Sequence, residues 1–142
     1  MTPANAFVDT PYTPLFQKYD PCPPGYEEHW YAQYVEIPVT ASQIISKLPL
    51  KIDTDVDFRW RSQMGSLNYQ FQIRLYDPWG NPLSNSLLMA ELVLSKASPP
   101  VQWPEILCPA GSTPLIDITE YTGNPGTLKL ALLGVKRYMT NA

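Results

Sequence analysis

Apolar and charged residues alternate along the segment "KIDTDVDFRWR", which runs from Lys51 to Arg61. Successive side chains of an extended chain point to opposite sides of a sheet, so this alternation predicts a β-strand with one buried face. We predict a strand from Leu50 to Arg61 whose core-facing residues are Ile52, Thr54, Val56, Phe58 and Trp60. Its other face is wholly charged and carries Lys51, Asp53, Asp55, Asp57, Arg59 and Arg61.

Comparable strand signals recur between turn signals along the rest of the chain. Runs rich in β-branched and aromatic residues occupy 30–39, 42–48, 68–76, 87–95, 114–121 and 127–138. Segment 87–95 also has helical propensity, but no cap precedes it and we predict a strand there. The loop "TGNPG" predicts that the last two runs form a closing hairpin. Seven or eight strands without a long helix predict an all-β fold, an antiparallel β-sandwich of jelly-roll type.

The first 29 residues have a different composition and are predicted to form an extended N-terminal arm. Six of the sixteen prolines lie there, and they remove the amide donors that regular structure needs. Solvated segments are usually poor in aromatic residues, yet this one contains Phe7, Tyr12, Phe16, Tyr19 and Tyr26. We therefore predict two parts, an arm (1–29) that docks as a strap and a β-sandwich domain (30–142).

Composition and charge narrow the classes of partner. The 142 residues are 44% hydrophobic and only 16% charged, with a net charge of −3 that opposes docking on nucleic acid. No apolar run is long enough for a membrane-spanning helix. The first residues contain neither a signal peptide nor a basic transit segment, so we expect synthesis in the cytoplasm.

The sequence contains only weak motifs for metal binding and catalysis. Asp53, Asp55 and Asp57 imitate the first ligands of a calcium loop, but Phe58 and Met64 occupy its glycine and glutamate positions. The single histidine, His29, has no accompanying nucleophile motif, so we predict no enzyme activity; a pair of carboxylates in a cleft remains the alternative.

Cys22 and Cys108 belong to no C-x-x-C motif, and together with one histidine they are too few for a zinc site. We predict two free thiols, with a disulfide between them as the alternative. No metal or other cofactor is expected.

Two tryptophans and the charged face of the predicted strand are the candidate partner-binding features. Trp79 in "DPWGNP" and Trp103 in "VQWPEIL" lie in or beside proline-rich turns, where an indole is either exposed to a partner or folded back over the core. The charged face is either solvated, or paired across strands with residues such as Arg74, or opposed to a second copy. In that last arrangement an antiparallel copy sets Asp55 against Arg61 and Asp57 against Arg59.

Four segments resemble, in order and spacing, small virion structural proteins of tailed bacteriophages, most closely capsid decoration or cement proteins. They are "DVDFRW", "IRLYDPWGNPLSN", "PEILCPAGSTPLIDI" and "LLGVKRY". The resemblance covers roughly residues 33 to 138 and implies a jelly-roll-like domain on the outside of the head shell. It implies the major capsid protein or another shell protein as partner, a homo-oligomer on the particle and a location on the outer capsid surface.

The expected function is therefore non-enzymatic binding and stabilisation of a phage capsid, with the arm residues Phe7, Tyr12, Phe16 and Tyr19 as the strap. The alternative is a receptor- or carbohydrate-binding β-sandwich of a phage fibre, neck or tail.

Overall fold

The computed structural model describes residues 20–65, 69–94 and 101–140. Eight strands and one four-residue helix lie within these ranges, and no helix among them is long and apolar enough to cross a membrane. The elements are β1 (Tyr26–Val39), β2 (Ile44–Pro49), β3 (Phe58–Gly65), β4 (Phe71–Tyr76), β5 (Leu88–Met89), α1 (Ala90–Val93), β6 (Val101–Cys108), β7 (Leu115–Glu120) and β8 (Gly126–Met139). The all-β prediction is confirmed.

The strands form two antiparallel four-stranded sheets. Sheet 1 has the order β1-β8-β3-β6, and sheet 2 has the order β2-β7-β4-β5. The two longest strands, β1 and β8, pair along all 14 residues, from Tyr26 opposite Met139 to Val39 opposite Gly126. This unbroken register arranges the outward-facing side chains of both strands in fixed rows.

One hydrophobic cluster receives alternate residues from both sheets. Sheet 1 contributes the fully buried Phe58 and Trp60, as the alternation in the sequence predicted, and the Nε1 of Trp60 donates to Gln63 Oε1 at 3.2 Å. Each large apolar side chain buried in this way stabilises the fold by roughly 1.5–3 kcal/mol. Other members of the cluster are Leu128, Leu130 and Leu132 of β8, Phe71 and Ile73 of β4, and Ile116 and Ile118 of β7.

The centre of sheet 1 is tightly packed where β3 carries a bulge. The register between β3 and β8 shifts between Trp60 and Ser62, so that Trp60 lies opposite Gly134. A Cβ atom at Gly134 would overlap the carbonyl oxygen of Arg59 and press on the ring of Phe58. Glycine is therefore required here by close approach of the neighbouring backbone rather than by an unusual dihedral angle.

β1 begins at Tyr26, four residues before the predicted start of the β domain at Trp30. The preceding residues also contact sheet 1, because Arg137 Nη2 donates to the carbonyl oxygen of Asp20. The strap residues Phe7, Tyr12, Phe16 and Tyr19 lie outside the described residues.

The predicted strand from Leu50 to Arg61 is wrong over its first part, because β3 begins only at Phe58. The backbone of the earlier part bonds to the loop before β7 instead: Leu50 N donates to Pro114 O at 2.7 Å, and Ile52 N to Ser112 O at 2.9 Å. Ile52 is still fully buried, but Thr54, also predicted to face the core, is exposed and Val56 is only partly buried, so the alternation identified one core residue here but not a strand.

The predicted strand at 87–95 is also wrong beyond Met89. The chain turns there into α1, and Leu94 N donates to Ala90 O at 2.8 Å. Ala90 and Leu94 are both fully buried, so one helical turn sets these two residues on the same side against the core.

The predicted closing hairpin does not form, because β7 belongs to sheet 2 and β8 to sheet 1. The buried Glu120 holds the connection between them. Its carboxylate accepts hydrogen bonds from the backbone N–H groups of Ser42, Thr122 and Gly123 at 2.8–3.0 Å. A side chain thus supplies the bonds that a hairpin ladder would have made.

Candidate partner-binding surfaces

A buried lysine closes one end of the core. Lys136 of β8 faces inward and is 1% exposed. Its Nζ lies 3.3 Å from Asp53 Oδ2 and 3.0 Å from Asp55 Oδ1, and 3.7 Å above the ring of Tyr31. Tyr31 in turn donates to Asp53, and Tyr138 donates to Asp55 at 2.8 Å. We call these five residues the lysine cluster.

The charges of the lysine cluster compensate one another. Burial lowers the pKa of Lys136, but its hydrogen bonds to Asp55 and Asp53 outweigh burial and raise the pKa above the usual value. The hydrogen bond from Lys136, with that from Tyr138, lowers the pKa of Asp55 to about 2. The ammonium group therefore stays protonated and fastens the segment before β3 to the end of the core. We call this contact the clamp.

A second charged network crosses the outward face of all four strands of sheet 1. Glu28 of β1 accepts from Arg137 of β8 at 2.9 Å and from Arg61 of β3 at 3.5 Å. Glu105 of β6 accepts from Arg61 at 2.7 Å and from Arg59 at 2.9 Å. Glu105 and Arg137 are each only 8% exposed in their side chains, which strengthens charge-assisted bonds of this kind.

The charged face predicted from the sequence is thus divided between two structures. Asp53 and Asp55 bind Lys136, Asp57 accepts from the backbone N–H of Ala110 at 3.0 Å, and Arg59 and Arg61 bind Glu105. Cross-strand pairing is therefore confirmed for Arg59 and Arg61, whose partner is Glu105. Arg74, which the sequence suggested as a partner for this face, lies in sheet 2 and donates to Ser84 O. The proposed antiparallel register with a second copy required one strand over all these residues, and that strand does not exist.

A row of aromatic side chains on β1 was not identified from the sequence. Tyr26, Trp30 and Tyr34 are 43%, 69% and 54% exposed. They lie four residues apart and share the face opposite to the buried Ile37 and Val39, so they point outward from sheet 1. The only signal in the sequence was the four-residue spacing, which on a strand selects one face. We call these three residues the aromatic row.

The turn after β4 presents Trp79 to solvent, with 64% of this residue exposed. Asp77 shapes the turn, because its Oδ1 accepts from the backbone N–H groups of Trp79 and Asn81, both at 2.9 Å. Gly80 adopts a φ of +87°, which favours glycine. The interpretation of Trp79 as folded back over the core is therefore wrong. The side chain of Trp103 lies outside the described residues.

The two cysteines and the histidine are the residues that the sequence offered for catalysis or metal binding. Both cysteines are free thiols, Cys22 partly buried and Cys108 fully buried, and burial together with nearby Asp77 raises the pKa of Cys108 to about 12. His29 lies 3.3 Å from Glu27 and packs edge-on against Tyr138. Within the described ranges, no group of three or more potential ligands is placed to hold a metal ion.

Comparisons of the chain with protein-family models, with curated proteins and with solved structures found no match.

Proposed function

We propose that this chain is a non-enzymatic structural protein of a tailed-phage virion that binds the outside of the capsid and stabilises it. The observation that carries the proposal is the aromatic row on the outward face of sheet 1. An outward sheet face is expected to be polar in a protein that remains alone in water. Three exposed aromatic residues on one strand depart from that expectation and support a surface for a partner. Tyrosine and tryptophan are also enriched where protein interfaces gain most of their binding energy.

We further propose that the two sheets form a jelly-roll sandwich. The orders β1-β8-β3-β6 and β2-β7-β4-β5 support this, because all but one of the connections between successive strands pass from one sheet to the other. The shared hydrophobic cluster supports face-to-face packing of the sheets. Jelly rolls of eight strands occur in viral capsid proteins and in lectins, which agrees with both functions considered for this chain.

In this function the arm and the β domain have separate tasks. The domain supplies a rigid face, and residues 1–19 supply aromatic side chains that strap the protein to a shell subunit. A protein that binds the assembled shell but not its separated subunits stabilises the shell by mass action. The partner would be the major capsid protein or another shell protein, and the site of action the outer surface of the particle.

Co-sedimentation tests the proposal. Capsids that lack this protein are mixed with the purified chain and pelleted, and bound protein is quantified. We expect saturable binding that weakens about tenfold for Trp30→Ala, since an exposed tryptophan at an interface contributes about 1–2 kcal/mol or more. Trp79→Ala, a similarly exposed tryptophan in a turn, is the matched control and should bind like the parent. If the parent chain showed no saturable binding to capsids, the proposed function would be wrong.

The exposure of Trp79 favours a second candidate function, recognition of a carbohydrate. An indole held out on a rigid turn can stack on the apolar face of a sugar ring. A glycan array decides between the two: binding that is lost in Trp79→Ala and kept in Tyr69→Ala would favour a carbohydrate reader over a capsid-binding protein.

A further inference from the structure

Four strands lie at the edges of the two sheets, and they differ in how well they resist pairing with another chain. β5 has two residues; β2 is interrupted by a register shift with Lys47 at a φ of +52°; β6 contains Pro104 and an irregular register. Short length, bulges, lysine and proline are the usual means of protecting an edge. β1, by contrast, is 14 residues long and pairs with β8 without interruption.

The side of β1 that faces away from β8 presents the backbone groups of its even-numbered residues, and no strand in the described part of the chain pairs with it there. Thr140 N donates to Gly25 O at 2.9 Å, and these two residues continue the register in which Tyr26 lies opposite Met139. In an antiparallel ladder such hydrogen-bonded pairs alternate with non-bonded pairs. The odd residues of β1 therefore bond to β8, and the N–H and C=O groups of the even residues point away from it. At Tyr26 these groups are already engaged, because its N–H donates to Pro23 O at 3.3 Å and its C=O accepts from Cys22 Sγ at 3.6 Å. Pro38 agrees with this assignment, because proline in a sheet is tolerated where its nitrogen faces a free edge.

We propose that β1 is a self-association edge, at which a second copy of this chain pairs antiparallel about a two-fold axis at Trp30. This register sets Trp30 against Trp30 of the second copy and Tyr26 against Tyr34, so every member of the aromatic row meets another aromatic residue. Glu28 meets Ala32, and no two carboxylates are opposed. Trp30 with its copy, and Glu28 with Ala32, exchange two N–H···O bonds per pair. Tyr26 and Tyr34 meet only through their side chains, because the backbone of Tyr26 is bonded to Pro23 and Cys22.

Neighbouring registers fit less well, because an axis at His29 or Tyr31 opposes no two members of the aromatic row. An axis at Glu28 sets that carboxylate against itself, and an axis at Ala32 sets Glu28 against Glu36. Like charges directly opposite destabilise a strand pair, whereas aromatic pairs stabilise it. The axis at Trp30 also leaves Pro38 outside the paired residues 26–34. A two-fold contact of this kind uses the same surface of both copies.

The proposed pairing extends sheet 1 across two copies and joins two aromatic rows into one outward platform. The proposed dimer concerns the free protein. It does not depend on the capsid proposal, since dimerisation is measured without capsids.

Sedimentation equilibrium of the full chain gives the first test. We expect a concentration-dependent dimer, and Trp30→Lys should weaken it about tenfold or more, because two lysines would then oppose each other at the axis. Trp79→Lys is the matched control and should dimerise like the parent. A monomeric parent chain, or equal dimerisation by Trp30→Lys, would overturn the proposal.

Disulfide trapping tests the register. Paired residues in a hydrogen-bonded antiparallel pair have Cα atoms about 5.5 Å apart, within the range of a disulfide. In a Cys22→Ser background, Trp30→Cys should form a cross-linked dimer on mild oxidation, and Trp79→Cys should not. Glu28→Cys mixed with Ala32→Cys should yield a heterodimer in preference to either homodimer. Equal yields at positions 30 and 79 would contradict the register.

Discussion

Replacing Lys136 with methionine tests whether the lysine cluster holds the end of the core. Methionine keeps most of the aliphatic stem and its packing against Tyr31, but it removes the ammonium group. The matched control is Lys129→Met, in the same strand, because Lys129 is exposed. Both variants make the same chemical change at sites that differ in burial.

The expected cost follows from the contacts of the ammonium group. Two hydrogen bonds to carboxylates and a cation–π contact are lost, each worth about 0.5–3 kcal/mol. Two effects offset this loss. Asp53 and Asp55 remain 51% and 45% exposed and can be rehydrated, and the variant no longer buries a charge. We expect a net loss of about 1–2 kcal/mol in the free energy of unfolding, against at most about 0.5 kcal/mol for Lys129→Met.

Urea unfolding of both variants at several pH values provides the assay. Because the pKa of Asp55 is lowered to about 2, its bond to Lys136 is fully present above the ordinary value of 3.8 and is lost as the pH falls through 2. The difference in stability between the parent and Lys136→Met should therefore shrink from pH 6 towards pH 2. A difference that stays constant with pH would assign the effect to packing alone. A variant as stable as the parent at pH 6 would refute the clamp.

Three further results are expected. Asp55→Asn should flatten the acid dependence of stability between pH 4 and pH 2, measured by thermal unfolding, because the carboxylate with the lowered pKa is gone. Glu120→Ala should destabilise the fold by about 1–3 kcal/mol in urea, because it removes a buried carboxylate that accepts from the backbone N–H groups of Ser42, Thr122 and Gly123, whereas Glu27→Ala on the surface should not. Deletion of residues 1–19 should leave the circular dichroism spectrum and the unfolding transition of the β domain intact but weaken capsid binding several-fold, and unchanged binding would reject the strap.

Local pattern in the sequence was sufficient to predict the strand content and much of the core. Alternation identified Ile52, Phe58 and Trp60 as inward residues, and all three are fully buried. The sequence equally predicted no long helix, and residues 20–65, 69–94 and 101–140 contain none. Strand content and burial depend on residues that are close together in the sequence. An apolar residue at every second position indicates them directly.

The corrected features depend on residues that are distant in sequence. Asp53 and Asp55 bind a lysine 83 and 81 positions away, so no local pattern could show that their segment leaves the strand conformation. Glu120 reaches back 78 positions to Ser42, and the sheet to which β7 belongs is decided by such contacts rather than by the short loop after it. The aromatic row was missed for a related reason. Pairing with β8, which is distant in sequence, fixes which face of β1 points outward.

Electron cryomicroscopy of the phage particles tests the central claim most directly. Maps are compared for particles with and without this protein, prepared from the same phage. The account predicts extra density on the outer capsid surface that accommodates two four-stranded sheets, with the outward face of β1 towards the shell and a thin extension from residue 20 onto a neighbouring subunit. Capsid density that is identical in both maps, with the difference confined to a fibre, neck or tail, would contradict capsid binding and favour the alternative.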